Sequence, residues 1–236
     1  MKIQKDNLTW VCLLSIAVIA LLVLAGSAMA DKADTSSTII KKGLNLYKYN
    51  QMVEEVRANP SYANVEFRAE AESEDVVYHS TAKMGPFSIA GEEYGQTREH
   101  ILHLGVPVEL QAEVESPVDR IEPVELALAG MADCITGTIA VHAVVNNIEI
   151  DRIKTTVRAP LSLLVLVGLK DLDQRDEIYG KIIVDVELEG PNLSEADRAF
   201  LAKQAKRSPA FNLIALAHDI EPSLSIRQSE TLSSNR

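Results

Sequence analysis

Glu122-Pro-Val-Glu-Leu-Ala-Leu-Ala-Gly-Met-Ala-Asp-Cys134-Ile-Thr-Gly-Thr-Ile-Ala-Val-His142-Ala143 is an apolar stretch with one thiol in its middle, and its reading decides the fold. Pro123 suits a first helical position, where its missing N–H would have had no partner. Beyond it, small and branched apolar residues run round every face, and a helix apolar all round is expected to be buried. A run of this length could also be mistaken for a membrane span. Asp133, Cys134, two threonines and His142 interrupt it, however, and strand-like patterns surround it, so a buried central helix of a soluble domain is the expectation. Asn146-Asn147 stops the pattern.

Outward from this helix, Glu149 to Arg158 and Gly180 to Glu189 alternate apolar and polar residues, as half-buried strands do. Between them Leu161 to Leu169 is strongly apolar. It reads as a buried segment that covers a partner subunit, or else as the lining of a pocket for a fatty ligand. Ser194-Glu-Ala-Asp197 has the spacing of a capping box and opens a helix to Lys206. Ser208-Pro209 starts a second short helix to about Ala217, and Pro222 to Arg227 reads as a closing strand. On the amino-terminal side, Leu44 to Arg57 carries Leu46, Tyr49, Val53 and Val56 at helical spacing, and Asn59-Pro60 ends that helix. Val65 to Glu72 alternates, Val76 to Lys83 is its hairpin partner, Glu99 to Leu104 is a third strand, and Glu109 to Val114 alternates weakly. Strands, a long helix, strands, a helix pair and a strand make an α+β fold, with antiparallel sheet packed on buried helices.

Residues 1–30 read as a secretory signal peptide: Lys2 and Lys5, an apolar run from Trp10 to Leu24 broken only by Ser15, and an A-x-A site at Ala28-Met29-Ala30. The alternative is an uncleaved anchor to the inner membrane through residues 8–25. Either way the domain is expected outside the cytoplasm, in the periplasm. Residues 31–43 read as a polar linker, 44–227 as one domain with an amino-terminal helix, and 228–236 as a frayed tail. Loss of Lys2, Lys5 and Asp6 with the signal moves the formal charge from -11 to about -12. Such a surface repels phosphate backbones and argues against nucleic acid as a partner. Of the two cysteines, Cys12 and Cys134, only Cys134 is outside the signal, so the mature form can make no internal disulfide.

Pro123-x-Glu125-Leu126, then Ala-Leu-Ala-Gly-x-x-x-Cys134-x-Thr136-x-Thr138 and Val141-His142-Ala143, resembles the helix of the OsmC/Ohr superfamily of osmotically inducible and organic hydroperoxide resistance proteins. Ala205-Lys-Arg-Ser-Pro-Ala-Phe-Asn212 resembles the start of that family's second helix. The resemblance runs from about Val65 to Arg227. It implies an intertwined homodimer in which antiparallel sheet packs on two central helices. It also implies reduction of hydroperoxides by a reactive cysteine, a second cysteine that resolves the sulfenic acid, and a Glu and an Arg that hold the first thiol as thiolate. Cys134 matches the peroxidatic position.

Several positions depart from that pattern. Ser208 stands at the resolving position. Val124 stands where the supporting Glu follows the helix-starting proline, with Glu125 one place later and about 100° round the helix. Arg68 matches the arginine by order alone, and Asp133 replaces a small residue. Peroxide chemistry needs a thiolate and therefore positive or donor neighbours; without them Cys134 is an inert, buried cysteine. His142, about 12 Å along the axis from Cys134 by helical rise, cannot be its base within one helix and reads as a core or interface histidine. His100 and His103 face opposite sides of a strand. Ser208 is explained as an N-cap before Pro209, and the acidic pairs at 54–55, 92–93 and 113/115 as solvated faces.

The expected function is thus reduction of organic hydroperoxides by Cys134 alone, with an external thiol reductant, no cofactor and no metal. Glu125 is the carboxylate available for proton handling. The alternative is a catalytically silent dimer that binds a small hydrophobic ligand in the cell envelope.

Overall fold

The computed structural model describes residues 39–111 and 117–226. The signal read at 1–30, most of the linker and the tail at 228–236 lie outside the described residues. The chain divides into two units, Met1–Ala58 and Asn59–Arg236. In the first, β1 (Ile40–Lys41) and β2 (Leu44–Asn45) form a hairpin where linker was expected. Lys42 and Gly43, at φ 47° and 82°, are its two left-handed turn residues. The helix α1 follows at Leu46–Ala58, its Lys48 N–H donating to Asn45 Oδ1 at 3.0 Å.

The second unit opens with β3 (Val65–Glu66), β4 (Ala69–Ser73), β5 (Ser80–Met84), β6 (Phe87–Ile89), β7 (Glu92–Tyr94) and β8 (His100–Leu104). The single strand expected over Val65 to Glu72 is broken at Phe67-Arg68. β3 pairs with β6 in one three-stranded sheet and β4 with β5 in another, so the chain changes sheets there. The short β6–β7 hairpin turns at Ala90-Gly91, both left-handed. In the other sheet β5 is central, with Ala71 opposite Ala82 and Ala82 opposite Leu102. Over Glu109 to Val114 the expected alternation fails in its first part, because Val108–Leu110 closes a 3-10 turn.

The long helix α2 spans Pro123–Val145. Glu122 caps it, its carboxylate accepting the Glu125 N–H at 2.9 Å, which suits the positive end of the helix dipole. It is the one described helix long and apolar enough to cross a membrane. Burial on every face was expected, and the structure corrects this. Met131, Ile135, Ile139 and Ala143, spaced by four, form one buried stripe, while Ala127, Ala129 and Gly130 are exposed in the single chain.

The stripe packs on an antiparallel pair, β9 (Arg152–Arg158) and β10 (Ile183–Glu189), whose residues alternate as their pleat requires. Ile153, Val157, Val184, Val186 and Leu188 face the helix, whereas Arg152–Glu189, Lys154–Glu187 and Arg158–Asp185 make ion pairs on the exposed side. Thr136 and Thr155 hydroxyls join α2 to β9 at 2.8 Å. Two helices complete this core. The first, α3 (Glu195–Ala205), opens on the expected capping box of Ser194 and Asp197; the second is α4 (Pro209–Ala215).

Two apolar segments are not packed within the single chain. Between β9 and β10 the chain closes on itself, with Gly180 N–H donating to Pro160 O at 2.9 Å and Ser162 N–H to Ile178 O at 2.7 Å. This turn-rich loop points its apolar side chains outward instead of burying them: Leu166 is 79% and Leu169 74% exposed. Pro222 to Ile226 forms no strand and pairs with none of the described residues.

Candidate functional site

Cys134 lies at the middle of α2, one residue before Ile135 of the buried stripe. A step of about 100° turns its side chain off that stripe, and it is half-buried, neither the enclosed cysteine of an inert core nor a free surface thiol. Its carbonyl accepts from Thr138 Oγ1 at 2.7 Å. Among the described residues its sulfur has no hydrogen-bond partner. Asp133 is exposed on the neighbouring face.

The residues expected to support the thiol are elsewhere in the single chain. Glu125 precedes Cys134 by nine residues, roughly 13 Å along the helix. It lines an open depression at the start of α2 with His103, Val118, Asp119, Arg120 and Ile121. Arg68 sits on the exposed link between β3 and β4, donating to Glu66 at 2.8 Å and to Glu93 at 2.9 Å, and these two carboxylates raise its pKa above the usual arginine value. Neither residue is brought to Cys134 within one chain.

Ser208 is fully buried, and its roles are accounted for. Its Oγ accepts the Phe211 N–H at 3.2 Å, its carbonyl accepts the Asn212 N–H at 3.1 Å, and Pro209 begins α4. His142 is half-buried. Burial first, and the charge of Arg207 second, hold its imidazole below the ordinary value. Its ring makes no hydrogen bond among the described residues, contrary to a histidine satisfied in a core.

One cluster gave no sign in the sequence. Arg120, just before the cap of α2, forms a two-pronged ion pair with Glu74, Nη1 to Oε1 and Nη2 to Oε2, both at 2.8 Å. Thr81 Oγ1 donates to the same carboxylate at 2.7 Å, and His103 Nδ1 stands 3.5 Å away. Arg120, then Thr81, hold the Glu74 carboxyl at about 2. Gly105 makes room for this cluster. A Cβ there would meet Tyr78 O at 3.0 Å, His79 Cδ2 at 3.1 Å and Arg120 Cβ at 3.3 Å. His79 beside it is buried, and its Nε2 has no hydrogen-bond partner among the described residues. The partners are 46 residues apart, a separation that no periodicity reports. Among the described residues no group of three or more His, Cys, Asp or Glu could hold a metal ion.

No curated protein matches this chain in sequence. Similar solved structures include an OsmC-like protein from Mycoplasma pneumoniae, 18% identical over 64% of this chain and 87% of that one, with a TM-score of 0.42. Another is an organic hydroperoxide resistance protein from Legionella pneumophila, 19% identical over 63% and 88%, with a TM-score of 0.40. A third, the organic hydroperoxide resistance protein OhrB of Bacillus subtilis, is 18% identical over 61% and 85%, with a TM-score of 0.33. The family described as OsmC-like protein matches residues 116–223, just under half of the chain. Those residues hold α2 with Cys134 and Glu125, the β9–β10 pair and the Ser208-Pro209 start of α4, while Arg68 falls before them. It is over this stretch that the chain resembles the OsmC-like family.

Proposed function

We propose that the protein is an exported OsmC-like homodimer that defends against oxidative stress by reducing organic hydroperoxides through Cys134. The observation that carries this reading is a half-buried thiol at the centre of α2, inside the stretch that matches the family. The Cys134 thiolate attacks one oxygen of the hydroperoxide, and the O–O bond breaks. The organic oxygen leaves as an alcohol after taking a proton, and the sulfur becomes a sulfenic acid. With Ser208 in place of a resolving cysteine, an external thiol condenses with the sulfenic acid and releases water. A second external thiol then frees Cys134, leaving the oxidised reductant as a disulfide.

The thiolate's stabilising groups come from the second copy, because within one chain Glu125 is distant and both Arg68 and Arg120 are held by carboxylates. The homodimer is supported by exposed apolar surface: Ala127, Ala129 and Gly130 on α2, Phe67 between β3 and β4, and Leu166 in the β9–β10 loop. Export is supported by the charged start, the apolar run and the A-x-A site of residues 1–30.

The unpartnered sulfur favours a second reading, a silent dimer that binds a small hydrophobic ligand. Stopped-flow reaction of the purified protein with cumene hydroperoxide, beside Cys134→Ser, decides between them. Peroxidase activity requires one thiol lost per chain, at a rate far above that of free cysteine, and over-oxidation to sulfinic acid in excess peroxide. A rate no faster than free cysteine leaves the binding protein.

A further inference from the structure

From Ala159 to Leu169 the β9–β10 loop has no charged residue. Toward its tip Leu166, Val167, Leu169 and Leu172 are 60–79% exposed. Apolar side chains gathered in this way on one loop mark an interaction surface. The one polar side chain of the run is Ser162, and its Oγ is already used, accepting the Leu164 N–H at 3.4 Å.

The backbone of the loop closes on itself. The Val167 N–H donates to Leu163 O at 3.0 Å and the Gly168 N–H to Val165 O at 3.1 Å, while Leu169 and Lys170 both donate to Leu164 O, at 2.8 and 3.1 Å. Gly168, at φ 73°, supplies the left-handed residue that ends this turn. At the neck the Ser162 N–H reaches Ile178 O, and Lys170 pairs with Glu177. The loop therefore sends apolar side chains outward while pairing much of its backbone internally. Water makes no such demand of a surface loop, whereas an apolar solvent does. Tyr179, opposite Leu161 in the bridge at the neck, is exposed, and a phenol suits the level of lipid headgroups.

Of the apolar surface exposed in the single chain, this loop is the part least suited to a second copy. Ala127, Ala129 and Gly130 on α2 are small and allow close approach of another backbone. The loop offers long side chains and, over residues 159–169, no free polar side chain to fix a partner's orientation, which protein interfaces require.

We propose that the β9–β10 loop inserts shallowly into a lipid bilayer, with Leu166, Val167, Leu169 and Leu172 at the boundary between headgroups and acyl chains. The attraction is apolar, because Asp171, Asp173, Asp176 and Glu177 outnumber Lys170 and Arg175 at the base of the loop. The inference takes from the preceding reading only the export that brings the domain to a membrane, and it does not use Cys134.

The test places a reporter in the loop. The chain has a single tryptophan, Trp10, so Trp10→Phe with Leu166→Trp leaves one indole, at position 166. The full-length variant is mixed with phosphatidylcholine vesicles, with and without bromine on the acyl chains. The indole emission shifts to the blue on the vesicles and is quenched by the brominated chains, equally at low and high salt. Adding Leu169→Asp and Leu172→Asp, both at exposed positions, abolishes the quenching while circular dichroism reports an unchanged fold. Cys134→Ser leaves the quenching intact, and vesicles in vitro require no export, so failure of the preceding reading is distinguishable from failure of this one. Any of four results overturns the proposal. The indole stays unquenched on vesicles with which the protein floats; its emission is already blue-shifted in a concentration-dependent way without lipid, as when a second copy covers the loop; the quenching survives both aspartates, as when residues 10–24 alone hold the chain on the bilayer; or it requires anionic lipid.

Discussion

Residues 59–111 and 117–226 solve the problem of burial to very different degrees. The first stretch makes six strands in two sheets, yet buries a single large apolar side chain, Leu104, while Val65, Phe67, Val77 and Ile101 remain exposed. Every residue of β4 is exposed. The second stretch buries Met131, Ile135, Ile139, Ala143, Ile150 and Leu201 in one cluster, and the β9–β10 pair alternates cleanly between that cluster and water. Small sheets with two wet faces lack the apolar burial that sustains a fold in isolation. The difference assigns the driving force to the second stretch and leaves the first in need of cover, which the proposed homodimer would supply.

Paired substitutions test that contrast most strongly. Leu201→Ala removes a fully buried side chain and is expected to cost about 2–5 kcal/mol in denaturant unfolding. Phe67→Ala removes one that is 72% exposed, and in a lone chain it should leave stability unchanged. In a dimer that covers the strands, Phe67→Ala instead lowers the melting temperature and makes it depend on protein concentration. Light scattering then reports a dimer for the wild type. A monomer at micromolar concentration, with Phe67→Ala silent, removes the dimer and leaves the sheets bare.

Gly105→Ala probes a place where the first stretch is tightly packed. The added Cβ meets a backbone carbonyl and the Arg120 Cβ, neither of which is the free end of a flexible chain. A loss of about 1–3 kcal/mol is expected, as for other overpacked sites. Glycine at 105 is a spacing requirement if the loss appears and incidental if alanine is tolerated.

These contrasts also mark how far the sequence could be read. The ends of α2 were legible because Pro123 and Asn146-Asn147 are local signals, and so was the capping box of α3. Ser208 as a cap was legible for the same reason. The exposed half of α2 was not, since apolar composition reports what a helix needs and not which chain meets that need. The Leu161 to Leu169 loop, apolar yet exposed in the single chain, poses the same question. At the candidate site, Cys134 could be found from the motif, but Arg68 was assigned by order alone, and order says nothing of the Glu66 and Glu93 that hold it. The Arg120–Glu74 pair depends on the chain's path between residues 46 apart, and neither propensity nor spacing encodes that.

That pair, which ties the first stretch to the second, predicts a pH dependence of stability. The Glu74 carboxyl is brought from 4.5 to about 2 by Arg120 and by the Thr81 hydroxyl. Its folded value lies below its unfolded one, so its contribution is complete above about 4.5 and is lost as the pH falls toward 2. Glu74→Gln should flatten the stability–pH curve in that window. Superimposable acid titrations of the two proteins would remove the pair as a determinant of stability.

The smallest structural effect is expected at Arg68, and for that reason it is the sharpest probe of how the two stretches work together. Its guanidinium is more than half exposed, and so are its partners Glu66 and Glu93 in large part. Exposed pairs of this kind contribute little to stability, so Arg68→Ala should leave the melting temperature unchanged. Catalysis gives it a different weight. If the second copy brings its strands over α2, Arg68 is the arginine that order places opposite Cys134, and it must first leave Glu66 and Glu93. In that case Arg68→Ala slows the reaction of Cys134 with cumene hydroperoxide without altering the fold, and Glu93→Gln, which loosens one of its anchors, speeds it. If both variants react as the wild type does, Arg68 is a surface residue of the strands, and the thiolate draws its support from elsewhere in the dimer.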